Sequence, residues 1–311
     1  MLLVIGLVVF WQFDLIHFLD FVDLDLVLAA LAIQPFMMLG FAAGAFRLGP
    51  LVQTPSPSYS RVFRAIILSF GFNAVLPGRA SEILKATYLH DHSGVPLSAG
   101  ISGIVLERMM DILMLAILGM VAISLTVINS NVVVFIVVAI SVVAMFVFIS
   151  RGRDALQALA MRIPWAVFRN ALSSIAGHAS SRLTMGIARK ALFFSAAIWL
   201  IALGNVTLFL NLVGSIPIDF KGALVVFVAC TLGGAIPAPP AGLGTYEAAA
   251  VFALKQLGYG YDEALAIGLA LHGSQIVLSL VGALAIALTE RIGLTASIRQ
   301  AKVFLGSGTK T

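Results

Sequence analysis

A single cysteine, Cys230, in 311 residues leaves no partner for an intrachain disulfide and no Cys-rich metal site. Charge is scarce as well: Asp, Glu, Lys and Arg make up 11% of the chain, where a soluble domain carries about 25%. So few charges cannot cover a water-soluble globule of this length. Also missing are the phosphate-binding pattern G-x-x-x-x-G-K-[ST], the zinc pattern H-E-x-x-H, and a G-x-G-x-x-G opening a helix after a strand. These absences leave no recognisable nucleotide site, and no cofactor or metal is called for. What is abundant is apolar: 60% hydrophobic residues and a mean hydropathy of +1.06. The class is an all-α polytopic membrane protein.

A hydrocarbon core takes about 20 apolar residues in helix. Residues 26–46, 132–149, 191–213 and 263–288 satisfy that. Residues 96–128 read as one long helix with Pro96 in its first turn. The short apolar start, 1–13, lacks a basic n-region and a cleavage site, so it is a span reaching toward residue 19 rather than a signal peptide. That makes about six spans. Two further runs, 62–76 and 223–236, are too short to cross, and both end in Pro/Gly clusters.

The net charge of +5 raises nucleic acid as a partner until the charges are located. Sixteen of the nineteen Lys and Arg lie in the stretch from Arg47 to Lys85, in the central loop from Arg151 to Lys190, or in the tail from Arg291. The first loop carries Asp14, Asp20, Asp23 and Asp25 and no cation. Positive charge marks the inside, so both termini and the central loop are expected in the cytoplasm. Nucleic acid drops out. In the central loop Trp165, Phe168, Leu172, Ile175 and Leu183 recur at helical spacing, which fits an amphipathic helix on the inner leaflet and equally a solvated connector.

Sliding the chain against itself by 165 residues pairs Glu82 with Glu247, Leu89 with Leu254, Gly103 with Gly268 and Leu106 with Leu271. Each copy is a short apolar run, a Pro/Gly break, a glutamate opening a short helix, and a long span. Three crossings separate the copies, so they enter from opposite sides as inverted repeats with re-entrant units at 62–90 and 223–257. The organisation is then one membrane domain: a first half 1–149, a linker 150–190, a second half 191–290 and a tail 291–311. Broken segments in two inverted halves point to a binding site at their interface, worked by alternating access.

Charges inside membrane segments are functional candidates. Glu107 and Asp111 share one helix face, and Arg108 reaches Asp111 at spacing three. A self-neutralising pair that sets helix packing fits the same spacing. Arg79 and Lys85 flank Glu82, and suit either an anionic headgroup or ordinary inside anchoring. Glu82 and Glu247 each open a short helix, where a carboxylate is also a cap. His272, Gln275 and Ser279 share a face of the last span, as a proton relay or as packing residues. Asn73 and Asn205 can bond backbone freed by the breaks or bond across helices.

The run NAVLPGRASEILKATY from Asn73 to Tyr88, the Glu107-Arg108-x-x-Asp111 element, and IPAPPAGLGTYE from Ile236 to Glu247 together resemble the lysylphosphatidylglycerol synthase transmembrane family. The resemblance covers nearly the whole chain. It implies a flippase-like domain that moves an amphiphile between leaflets. It brings forward Pro77, Glu82 and Lys85, then Glu107, Arg108 and Asp111, then Pro240, Gly242, Gly244 and Glu247, with Pro237 and Tyr246 beside them. The chain departs from the family's pattern at Ser81, where Gly is usual, and at His272, where Arg is frequent. Nothing after Glu290 is long enough for the family's aminoacyl-transferring domain, so lysyl-lipid synthesis is not expected.

The expected function is a lipid transporter whose partners are membrane lipids, with a second copy of the chain or a separate lipid-modifying enzyme as further candidates. The rival readings are a lipid-linked-sugar glycosyltransferase using Asp20, Asp23 and Asp25, and an assembly partner for another membrane protein.

Overall fold

The computed structural model describes residues 24–52, 57–76, 80–128, 132, 136, 184–214, 216–236, 240–290 and 292. Among the described residues the regular structure is helical throughout. The helices are α1 (Leu24–Ala32), α2 (Gln34–Val52), α3 (Tyr59–Phe72), α4 (Ala80–Ser93), α5 (Leu97–Ile123), α6 (Met185–Val213), α7 (Phe220–Ala235), α8 (Thr245–Gln256) and α9 (Tyr261–Thr289). Four stretches are long and apolar enough to cross a membrane: Leu24–Val52, Leu97–Thr126, Met185–Val213 and Tyr261–Thr289. The chain is therefore a multi-pass membrane protein. The expected span at 1–19, nearly all of 132–149, the acidic Asp14, Asp20 and Asp23, and the central loop as far as residue 183 lie outside the described residues.

Three boundaries differ from the sequence expectation, each for a local reason. The span expected at 26–46 is two helices that meet at Ile33, because Pro35 has no N–H to continue the ladder there. Its second helix runs six residues past Phe46 to Val52, since Leu48, Leu51 and Val52 are all buried apolar side chains. That extension takes Arg47 out of the expected loop and into a helix. Helix α6 begins at Met185, where the Thr184 hydroxyl accepts the Ile187 N–H at 3.3 Å, so Arg189 and Lys190 belong to the helix and not to a connector. The helix expected over 96–128 is capped by Pro96 and ends in a π turn, Ser124–Ile128. There Ser124 and Thr126 donate to the carbonyls of Met120 and Ala122.

Packing between helices is reciprocal. Helix α3 packs on α4 and α7 packs on α8, while α3 also lies against α9 and α7 against α5. Each short apolar helix thus touches its own partner and the long span of the other half. Lipid tails are as apolar as leucine, so helices in a bilayer are held by close van der Waals fit. Gly71 makes the α3–α9 contact: a Cβ there would stand 2.2 Å from the Ser279 carbonyl oxygen. Gly233 plays the same part between α7 and α8, where a Cβ would meet the Thr245 carbonyl oxygen at 2.4 Å. One apolar cluster gathers Phe209, Leu210, Leu224 and Leu254 from α6, α7 and α8. The other gathers Leu48, Leu68, Tyr88 and Leu89 from α2, α3 and α4.

The two breaks touch. After α3 the chain turns at residues 73–76, and after α7 a short 3-10 turn, Pro240–Gly242, precedes α8. The Ala241 N–H donates to the Asn73 carbonyl oxygen at 3.0 Å. Ala241 adopts a left-handed φ of +57°, which disfavours a residue with a Cβ. Gly242 follows at +77°, close enough to Gly234 that a Cβ would lie 2.8 Å from its Cα.

Candidate functional site

Spacing along each helix assembles the first cluster. Glu82 and Lys85 are three apart on α4, Glu107 and Asp111 four apart on α5, and Ser195 and Trp199 four apart on α6, so each pair faces one way. Helix α2 adds Arg47. Glu107, 2% exposed, receives Lys85 Nζ on Oε2 at 2.6 Å, and Arg47 Nε and Nη2 on Oε1 at 3.2 and 3.1 Å. Arg47 Nη1 donates to Asp111 Oδ1 at 2.7 Å and to the Ser195 hydroxyl at 3.2 Å. Trp199 Nε1 donates to the same Asp111 oxygen at 3.3 Å. Arg108 lies 3.0 Å from Glu82 Oε1 through Nε and 3.2 Å from Asp111 Oδ2 through Nη1.

The six ionised groups balance: Arg47, Lys85 and Arg108 against Glu82, Glu107 and Asp111. Burial divides them. Lys85, Arg47 and Glu107 are within 6% of full burial, which a charge tolerates only when paired and hydrogen-bonded. Arg108 stands one-third exposed. Its Nε is close to Glu82 in charge but is not aligned as a hydrogen bond, and makes none with any other group.

The second cluster sits where α8 meets α9. Glu247 Oε2 accepts the Gly244 N–H at 2.6 Å, which caps the helix, and Oε1 lies 2.7 Å from His272 Nδ1. The Tyr246 ring stacks on the imidazole at 4.0 Å between centroids, with its hydroxyl against Gln275 and Cys230. At the same 165-residue offset, His272 falls opposite Glu107. Each half therefore has a buried acidic–basic pair between its short helix and its long span. The order is reversed: the basic residue is on the short helix in Lys85–Glu107 and on the long span in Glu247–His272.

Of the residues singled out from sequence, Glu82, Lys85, Glu107, Arg108 and Asp111 come together in one cluster, and Gly244, Tyr246, Glu247, His272 and Gln275 in the other. Asn73 accepts the bond between the breaks through its backbone carbonyl, and Pro240 and Gly242 flank its donor, Ala241. Pro77, Arg79 and Pro237 lie outside the described residues. Ser279 bonds carbonyls of its own helix, at Gln275 and Ile276. Asn205 bridges nothing through its buried Oδ1, which has no partner. Sequence reasoning missed Arg47, Ser195 and Trp199. The available signal for Arg47 was the imbalance it corrects: Glu107 and Asp111 share a face with only Arg108 beside them. Among the described residues no group of three or more His, Cys, Asp and Glu side chains is arranged to hold a metal ion.

A family model described as lysylphosphatidylglycerol synthase TM region matches residues 1–282. No curated protein and no solved structure matches the chain.

Proposed function

The chain belongs to the lysylphosphatidylglycerol synthase TM family, and from that premise we propose that it is a lipid transporter. It moves an anionic or amphiphilic phospho- or glycolipid between the leaflets of the bacterial inner membrane, with both termini in the cytoplasm and without chemically altering the lipid. The observation that carries this reading is the meeting of the two helix breaks, Ala241 N–H on Asn73 C=O, beside buried charges on the helices that follow each break. Irregular backbone at membrane depth is tolerated where protein or a water-filled cavity satisfies it, and inverted transporters place their substrate between such segments. The reciprocal packing of α3 on α9 and α7 on α5 supports an inverted relation with α3–α4 and α7–α8 as re-entrant units.

Within the first cluster the roles divide by bonding. Arg47 and Lys85 are committed to Glu107, Asp111 and Ser195 and hold four helices together. Arg108, one-third exposed and with unaligned donor capacity, is the group that meets a headgroup phosphate, for which guanidinium offers a planar fork. Lys85, which the sequence left open between a headgroup and inside anchoring, is taken up by Glu107 in this reading.

Reconstitution with headgroup-labelled lipids tests the proposal. Wild-type protein should exchange label faster than empty liposomes. Arg108→Ala should slow that exchange about tenfold or more, the effect of losing a charge-assisted bond worth about 1.5–3 kcal/mol. Wild-type exchange no faster than empty liposomes, across several lipid classes and with an imposed proton gradient, would sink it.

A further inference from the structure

The transport reading leaves open what drives the lipid, and the second cluster bears on that. Glu107 is neutralised by Lys85 and Arg47. The corresponding pair in the other half has a histidine in the basic position, the residue type suited to gaining and losing a proton near neutral pH. Both Glu247 oxygens are engaged as acceptors, by Gly244 N–H and by the imidazole. With Glu247 ionised, a carboxylate only accepts, so His272 Nδ1 carries a hydrogen and any further proton must enter at Nε2. Without that proton the pair bears one negative charge, 5–6% exposed, in a membrane helix bundle; with it the pair is neutral.

Among the described residues no other cation is arranged to compensate that charge. The groups against the pair are the Tyr246 ring and, behind it, Cys230 and Gln275, all neutral near pH 7. On the helices packed against α9, Arg47 is bound to Glu107 and Asp111, and Arg64 to Glu290. Asp25 on α1, Arg61 on α3 and Arg189 and Lys190 on α6 make no described contact with the pair. Exposed Lys255 lies over the Tyr261 ring at 6.0 Å. Glu247 is also mechanically connected: its Oε2 caps Gly244, three residues from Ala241, whose N–H holds the opposite break.

We propose that Glu247–His272 is the coupling-proton site of this transporter, a reading that rests on the transport function above. His272 Nε2 takes one proton from the side to which the site is open and releases it to the other, Nδ1 keeps its proton throughout, and no bond in the lipid changes. Charge at Glu247 is thereby tied to the contact between the breaks.

The test begins with a readout that needs no lipid movement. The full chain, labelled with 15N-histidine and held in nanodiscs, has five histidines, and His272→Gln assigns the signal of interest by its loss. The Nε2 resonance of His272 should change between its unprotonated and protonated forms as pH is varied, and Glu247→Gln should alter that response. A His272 signal that keeps one form from about pH 4 to 9 overturns the proposal. Proteoliposomes of phosphatidylethanolamine and phosphatidylglycerol, with a trace of fluorophore-labelled phosphatidylglycerol, supply the second readout. A gradient of one pH unit should change the wild-type rate by up to about tenfold, and His272→Lys should lose that dependence. A wild-type rate indifferent to the gradient, or a His272→Lys response equal to wild type, overturns coupling. A titrating His272 with no movement of any labelled lipid overturns the transport reading instead and leaves the proton site standing.

Discussion

Arg47 and Arg108 bring the same charge to the same cluster and are held in opposite ways, and that difference predicts opposite phenotypes. Arg47 makes four hydrogen bonds, two of them to a carboxylate that also takes Lys85. Removing Glu107 as Glu107→Gln would take the carboxylate from buried Lys85 and leave Arg47 with the Asp111 carboxylate alone, and breaking a buried pair from one side costs about 3–5 kcal/mol. Thermal unfolding in detergent should show that loss. Arg108→Ala, by contrast, should change stability by about 1 kcal/mol or less, because a third of the side chain meets its surroundings directly. Its effect belongs in lipid movement. A stability loss for Arg108→Ala as large as that for Glu107→Gln would mean that both arginines are structural.

At the scale of elements, the end of α9 is tied to the α3–α4 pair through Glu290. Tyr88 donates to Glu290 Oε2 at 2.6 Å, Arg64 pairs with Oε1, and His92 lies 3.8 Å from Oε2 with its ring stacked on Tyr88. Burial works against ionisation of this carboxyl, but the bonds from Tyr88 and Arg64 outweigh it and hold Glu290 below the usual carboxylate range. A folded-state value below the unfolded one contributes stability that is complete above the ordinary glutamate value of about 4.3 and is lost as pH falls through the lowered value. Wild type should therefore unfold at a higher temperature than Glu290→Gln at pH 7, and the gap should narrow as pH drops below about 4. An equal gap at both pH values would show that the bond geometry matters and the charge does not.

For the whole molecule, the contact between the breaks is, under the transport proposal, the joint on which the two halves would move. Asn73→Cys with Ala241→Cys in a Cys230→Ala background places two thiols where backbone atoms now lie 3.0 Å apart. A short cleavable thiol cross-linker should join them and stop lipid exchange, and cleaving it should restore exchange. Exchange that continues at the uncross-linked rate would show that the breaks stay together through the cycle. The reciprocal packing puts α3 on α9 and α7 on α5, so under the transport proposal a movement at this joint would reach both long spans.

Composition alone determined that this chain lives in a membrane, since 11% charged residues cannot solvate it. Hydropathy and proline located the four described spans and the two breaks, because both are local properties of the chain. Glu82, Lys85, Glu107, Arg108 and Asp111 were visible because a charge beside or within an apolar run stands out. Arg47 was not, because it follows such a run and reads as its flank. Only six further residues of helix and a carboxylate sixty positions away make it interior. The same holds for the bond from Ala241 to Asn73 and for the reversed order of the two buried pairs. Those were decided by tertiary structure, because pairing between distant helices depends on which faces meet, and a one-dimensional pattern records the faces without their partners.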